Sequence, residues 1–143
     1  MNIFLAGIIQ GSLVEAAIHR QDWREPIRAA LARVAGVEVY CHYSRHPNSI
    51  TYELPEICDT LAEGIALAGR CDVLIAYLPS ASMGTAIEMY EAHRGGAAVL
   101  SVTPMTANWV VRAYSDRVFP DIAALAEFLT GEEFPALVAA RGR

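Results

Sequence analysis

Lysine is absent from this chain of 143 residues, and all eleven basic residues are arginine. Without lysine the protein cannot form a Schiff base with a carbonyl substrate, and it has no P-loop lysine to bind nucleotide phosphates. Cysteine is also scarce, because the three thiols, Cys41, Cys58 and Cys71, form no CxxC pair. An odd count without such a pair indicates reduced thiols in a cytoplasmic protein rather than a disulfide framework.

Excess positive charge and long apolar runs are missing too. The formal net charge is −5, which disfavours an extended nucleic-acid track or an anionic membrane surface as partner. The apolar start at residues 2–9 lacks a basic segment before it and is too short for a secretory signal. No run approaches the roughly 18 apolar residues of a membrane span. We therefore expect a cytoplasmic protein that binds neither a nucleic-acid polymer nor a membrane.

Strand-like and helix-like segments alternate along the whole chain. Short apolar runs predict strands at residues 3–6, 37–41, 72–77, 97–102 and 118–119. Helical spacing predicts helices at residues 22–36, 54–68, 82–94, 109–114 and 122–129, and the first of them starts at a capping-box pattern from Asp22 to Glu25. A long polar loop runs from His42 to Tyr52. The alternation predicts an α/β fold, with residues 1–143 as one domain.

The predicted sheet is five-stranded and parallel, in the flavodoxin-like order 2-1-3-4-5, with helices on both faces in a Rossmann-like three-layer sandwich. In that order a crevice opens between strands one and three, flanked by residues 7–12 and 79–85. Gly7, Ile9, Gln10 and Gly11 lie in the first loop, where glycines let a ligand approach the backbone closely. Their spacing is not a dinucleotide fingerprint, and a plain strand-to-helix turn fits equally well.

The second loop leads into a helix that carries the most informative carboxylate. A helix starting near Ser82 leaves amide groups available for an anion, with Gly84 and the Thr85 hydroxyl beside them. Glu88 follows about a turn and a half later and could face the crevice. The alternative is an ordinary solvated glutamate on the helix surface.

Other polar residues are weaker candidates. Asp59 and Glu63 share a helix face, so either could supply the second carboxylate that glycoside cleavage usually needs, or both could simply be solvated. His42 and His46 lie in the long polar loop, where no third metal ligand stands at a recognisable spacing, so substrate contact and plain surface are both open for them. Asn108 could contact a ligand. We expect neither a metal nor another cofactor.

Three motifs together resemble the nucleoside 2-deoxyribosyltransferase superfamily. They are Phe4-Leu-Ala-Gly7, Cys71-Asp-Val-Leu-Ile-Ala76 and Ser82-Met-Gly-Thr-Ala-Ile-Glu88. The order of motifs runs from residue 3 to about residue 119. Within the superfamily, the chain is most similar to the branch that hydrolyses (deoxy)nucleoside 5′-monophosphates to release the base.

The resemblance implies a role for each matching position. Glu88 matches the catalytic glutamate that attacks C1′ of the sugar, and Ser82 matches the serine that binds the 5′-phosphate. The loop from Gly7 to Gly11 matches the loop that lies against the nucleotide. Residues 106–114 stand where relatives donate side chains to a neighbouring subunit, so a homodimer with shared sites is implied.

The chain departs from the family pattern at Gly64, at Gln10 and in the long loop. The family usually has an aspartate where this sequence has Gly64, so Asp59 or Glu63 would have to substitute for it. Relatives that bind phosphate often have arginine in the first loop, where this chain has Gln10. The loop from His42 to Tyr52 matches no particular base pocket.

The sequence thus predicts hydrolysis of the N-glycosidic bond of a nucleotide or nucleoside, with Glu88 as nucleophile. A deoxyribosyltransferase that passes the sugar to a second base would use the same site. A non-catalytic nucleotide-binding module is a third interpretation, favoured by the glycine at position 64. A protein-interaction domain without a small ligand is a fourth.

Overall fold

The computed structural model describes residues 1–142, and five parallel strands form its sheet. The strands are β1 (Asn2–Gly7), β2 (Glu38–Cys41), β3 (Val73–Tyr77), β4 (Ala98–Val102) and β5 (Arg117–Phe119). Their order is β2-β1-β3-β4-β5, with β1 paired to both β2 and β3. The predicted sheet, its direction and its order are therefore confirmed.

Helices connect the strands and follow the last one. They are α1 (Arg24–Leu31), α2 (His42–Arg45), α3 (Leu54–Ala68), α4 (Met83–Arg94), α5 (Trp109–Tyr114), α6 (Ile122–Thr130) and α7 (Glu133–Arg141). Within residues 1–142, no helix is both long enough and apolar enough to cross a bilayer.

Alternate residues of each strand point to opposite faces of the sheet, which gives the protein two apolar cores. On one face, Ile3 and Leu5 pack in a cluster with buried residues of α1, α6 and α7. On the other face, Phe4 and Ala6 pack in a cluster with buried residues of α3, α4 and α5. Strands buried on both faces are continuous apolar runs, and the predicted three-layer arrangement is confirmed.

The start of the first helix differs from the prediction. The expected capping box of Asp22 and Glu25 does not form, because the Asp22 carboxylate pairs with Arg20 instead. The N-cap of α1 is Trp23, whose side chain makes no capping hydrogen bond. The helix also ends at Leu31, and a turn rather than helix leads to Gly36.

The segment from His42 to Tyr52 is more regular than the predicted loop. Its first four residues form α2, and Ser49–Thr51 form a single 3-10 turn. Pro47 stops α2 because the ring of a proline excludes the residue before it, here His46, from helical geometry. The short helix starts directly after β2, so His42 lies at the carboxyl edge of the sheet.

Candidate functional site

A cavity of about 530 Å³ lies at the carboxyl ends of β1, β2 and β3, where the predicted crevice was expected. Eight of the predicted site residues line it: Gly7, Ile9, Gln10, Gly11, Ser82, Gly84, Thr85 and Glu88. None of the described residues in its wall is an arginine. The remaining wall is largely apolar and comes from the loop before α1, from the segment between His42 and Tyr52, and from α3 and α4.

Hydrogen bonds from the Gln21 side chain, just before α1, hold the loop after β1 in place. The Gln21 amide donates to the carbonyls of Ile8 and His19 at 2.9 and 2.8 Å. The His19 amide donates to the Ile9 carbonyl at 2.7 Å, which closes the loop on itself. The Gln10 side chain bonds only weakly within the same loop, to the Glu15 carbonyl at 3.4 Å. The backbone of this loop is therefore held in place while its inner edge faces the cavity.

The N-terminus of α4 forms the opposite wall. Ser82 is its N-cap, and its hydroxyl accepts from the Thr85 amide at 3.5 Å and from the Thr85 hydroxyl at 3.1 Å. The first amides of a helix have no intrahelical partners, and Ser82 and Gly84 at this helix start line the cavity. The predicted helix start at Ser82 is confirmed.

Glu88 lies one and a half turns into α4 and presents its carboxyl group to the cavity wall. Burial raises the pKa of this carboxyl to about 8, and the positive charge of Arg24 partly opposes that rise. A carboxyl group placed in an apolar wall keeps its proton near neutral pH in the free protein. Strongly shifted pKa values of this kind are concentrated at functional sites.

Arg24 is a buried cation close to the site that the sequence did not indicate. Its exposed fraction is 5%, and its guanidinium donates to the Leu5 carbonyl at 3.2 Å and to Cys41 Sγ at 3.3 Å. Burial lowers the pKa of Arg24, while its interactions with Cys41 and Glu88 raise it again in part. Burial alone would raise the pKa of the Cys41 thiol, but the charge of Arg24 and hydrogen bonds with Ser44 outweigh burial and lower it.

His42 is a titratable group in the cavity wall that the sequence did not assign to the site. Its Nδ1 is buried and has no hydrogen-bond partner among the described residues. Burial, together with the nearby His46 and Arg24, lowers the pKa of His42 to about 4, so the imidazole is neutral at neutral pH. Its position directly after β2 was the available signal, because loops after parallel strands form the ligand edge of such sheets.

Gly64 lies between Glu88 and His42. A β-carbon built at Gly64 would be 3.6 Å from Glu88 Oε1 and 3.6 Å from His42 Nδ1. The position where the resemblance implies an aspartate is therefore next to the predicted catalytic glutamate, and His42 stands on its other side.

The remaining predicted residues lie outside the cavity wall. Asp59 is exposed on α3, and Glu63 places its carboxylate 3.7 Å from His46 Nε2. Asn108 caps α5, since its side-chain oxygen accepts from the Val110 amide at 2.9 Å. Within residues 1–142, no three His, Cys, Asp or Glu side chains are grouped to hold a metal ion.

Solved structures share this fold. A 2-deoxyribosyltransferase from Bacillus psychrosaccharolyticus is similar with a TM-score of 0.68 and 14% identity, over 96% of each chain. The CMP N-glycosidase BcmB of Clostridium botulinum has a TM-score of 0.55 and 19% identity, over 90% of this chain and 98% of its own. A conserved protein from Enterococcus faecalis V583 has a TM-score of 0.58 and 16% identity, over 90% of this chain and 96% of its own.

No protein-family model matches the sequence, and no curated protein does. The similarity is therefore one of structure at low identity, and it extends over nearly the whole chain. The fold that the resemblance implied is therefore confirmed.

Proposed function

We propose that the protein hydrolyses the N-glycosidic bond of a nucleoside or nucleoside 5′-monophosphate and releases the free base. The observation that carries the proposal is the Glu88 carboxyl group, which lies in the wall of a cavity at the carboxyl edge of a parallel sheet. Two proteins of the same fold, a 2-deoxyribosyltransferase and a CMP N-glycosidase, are named for chemistry at this bond.

Glu88 is the nucleophile in this account. Cleavage of the C1′–N bond passes through a transition state with positive charge on C1′ and the ring oxygen of the sugar. A carboxylate oxygen beside C1′ stabilises that charge as it develops and then bonds to C1′, while the electron pair of the broken bond leaves with the base. Water subsequently attacks C1′ and frees the carboxylate; its hydroxyl stays on the sugar and its proton balances the negative charge left on the base. The low polarity of the surrounding wall strengthens each of these interactions.

The sugar-phosphate end of the substrate would lie against the N-terminus of α4. Ser82, Gly84 and Thr85 line the cavity there, and the first amides of a helix bind anions well. No arginine of the described chain lines the cavity, so the helix terminus and hydroxyls supply the donors for a phosphate. We expect a modest preference for monophosphates over nucleosides.

A second copy of the chain would close the open side of the cavity. Leu54 is 70% exposed on α3 and Met83 is 82% exposed on α4, while the neighbouring Ile57, Leu61 and Ile87 are exposed at 40–46%. An apolar patch around a cavity mouth is typical of an interface. Trp109 is 85% exposed and lies in the segment implied to reach a partner's site. We therefore propose a homodimer with shared sites.

The experiment is free-base release from a panel of ribo- and deoxyribonucleosides and their 5′-monophosphates, followed by chromatography. Release by the wild type and its loss in Glu88→Gln support the proposal. If release requires an added acceptor base, and a new nucleoside accumulates, the protein is a transferase. No release with or without acceptor overturns the enzymatic proposal.

A further inference from the structure

Glu88 and His42 converge on the same point in the cavity wall. Both Glu88 Oε1 and His42 Nδ1 lie 3.6 Å from the place of a β-carbon on Gly64, and only a glycine leaves that place empty. His42 Nδ1 is buried without a hydrogen-bond partner among the described residues. A buried unpaired ring nitrogen costs free energy, which a functional role would explain.

The groups around His42 come from every neighbouring element. Arg24 on α1 and His46, which directly follows α2, disfavour an imidazolium, and Glu63 on α3 favours one. His46 is itself engaged, with Nδ1 3.0 Å from the Tyr52 hydroxyl and its ring 4.9 Å from that of His42. His42 is therefore the imidazole of this cluster whose ring nitrogen remains available on the side of Glu88.

We propose that His42 carries a proton between Glu88 and the departing base, in the place that a carboxylate at position 64 would otherwise take. This inference rests on the N-glycosidic reaction proposed above. It extends that reaction by naming a proton donor, which Asp59 cannot supply from its exposed position outside the cavity wall.

The steps balance with a single proton held by the pair. In the reactive form of the pair the proton is on His42, a minor arrangement in the free protein because the pKa of Glu88 is the higher of the two, and this form has a carboxylate beside C1′ and an imidazolium beside the base. Glu88 bonds to C1′ as the C1′–N bond breaks, and the base nitrogen takes the proton of His42. Water then gives its hydroxyl to C1′ and its proton to His42, the bond to Glu88 breaks, and the proton returns to the pair.

One shared proton gives the reaction a characteristic dependence on pH. The pKa of His42 is about 4 and that of Glu88 is about 8, so the pair holds one proton between these values. The kcat/KM of the wild type is therefore expected to be level across this range and to fall on both sides. A Glu88 nucleophile that worked without a proton donor would instead become more active as pH rises through 8.

The test compares the wild type with His42→Gln, and with His93→Gln as a matched control whose side chain lies outside the cavity wall. General acid–base catalysis contributes roughly 100-fold or more, so we expect His42→Gln to lower kcat/KM by about that factor at pH 6. The variant should also lose the alkaline decline, because no proton remains to be lost from His42. His93→Gln should keep both the rate and the profile.

An NMR titration of the protein without substrate shows whether ionisation of Glu88 affects the His42 ring. The NMR signal of the His42 ring should shift near pH 8 in the wild type, when Glu88 ionises, and this shift should vanish in Glu88→Gln. It should persist in Glu91→Gln, the same change one turn later on α4. Absence of the shift in the wild type overturns the inference.

The outcomes separate the inference from the function on which it rests. If Glu88→Gln stops base release but His42→Gln stays within about threefold or keeps the alkaline decline, the role of His42 is wrong and the function stands. If the wild type releases no base at all, the proposed function fails and the His42 step fails with it.

Discussion

The Trp23 indole fills the space beside Gly7 at the end of β1. A β-carbon built on Gly7 would lie 2.5 Å from the Cη2 atom of Trp23 and 2.9 Å from the Tyr77 carbonyl oxygen. The same indole stacks on the Tyr77 ring, with centroids 4.6 Å apart. Gly7 thus leaves room for this aromatic pair at the end of β1, because a side chain there would collide with the Trp23 ring and the Tyr77 backbone.

Gly7→Ala is expected to destabilise the fold. The added methyl group collides with a packed ring and with a backbone oxygen, and overpacking of this kind costs about 1–3 kcal/mol. Gly84→Ala is the matched control, because a β-carbon there meets no described atom within 4 Å apart from its chain neighbours and the backbone of its own helix. Urea denaturation measures both. Equal stabilities of the two variants would contradict the packing at Gly7.

The fold was predictable from short-range patterns. Each core strand is a continuous apolar run, and each crossover carries a helical pattern, so the parallel sheet and its order followed from general rules of connection. The capping box at Asp22 was wrong because α1 starts one residue later than its pattern required, with Trp23 as N-cap, and the Asp22 carboxylate pairs with Arg20. Local patterns do not fix a helix start to the residue.

The cavity residues that the sequence predicted lie on the loop after β1 and in the first turns of α4, two segments that the rules for parallel sheets place at one crevice. Ser82 and Glu88 belong to the second segment, and the structure brings both to the cavity. Arg24 was not foreseen, since arginine on a helix is usually exposed and its burial depends on the tertiary contacts with Leu5 and Cys41. The nearness of His42 to Glu88 likewise depends on how α2 and α4 meet across Gly64.

Replacement of Glu88 is expected to make stability less sensitive to pH. The folded pKa is about 8 against an ordinary 4.5, so between these values the folded protein keeps a proton that the unfolded chain has lost. The free energy of unfolding therefore falls as pH rises through this window. Glu88→Gln should match the wild type near pH 4.5 and exceed it by up to a few kcal/mol at pH 8.5. Thermal unfolding of both proteins at both pH values measures the difference in stability. A difference that is the same at pH 4.5 and pH 8.5 would contradict the raised pKa.

Loss of the Ser82 hydroxyl should separate phosphate binding from nucleoside binding. Ser82→Ala removes the N-cap of α4, at a cost of about 1 kcal/mol of stability. It also removes a donor to the phosphate, and a hydrogen bond to a charged group contributes about 1.5–3 kcal/mol. Calorimetry should show a drop of roughly tenfold or more in affinity for monophosphates and little change for nucleosides. Equal losses for both would remove the phosphate role.

A charge in the exposed apolar patch should dissociate the proposed dimer. Leu54→Glu places a carboxylate in the first turn of α3, where it favours the helix, so the fold is spared. Val118→Glu on β5 is the control, because that strand forms the far edge of the sheet. Sedimentation velocity should show a dimer for the wild type and Val118→Glu, and a monomer for Leu54→Glu. A monomeric wild type would contradict the shared site.

The most direct test of the account is the rate of base release by the wild type, Glu88→Gln and Glu91→Gln on the best substrate of the panel. Glu91 lies on the same helix and pairs with Arg94 outside the cavity wall. The account predicts that Glu88→Gln loses at least about 100-fold in kcat while Glu91→Gln keeps the wild-type rate. Near-normal release by Glu88→Gln, with an intact fold, would contradict it.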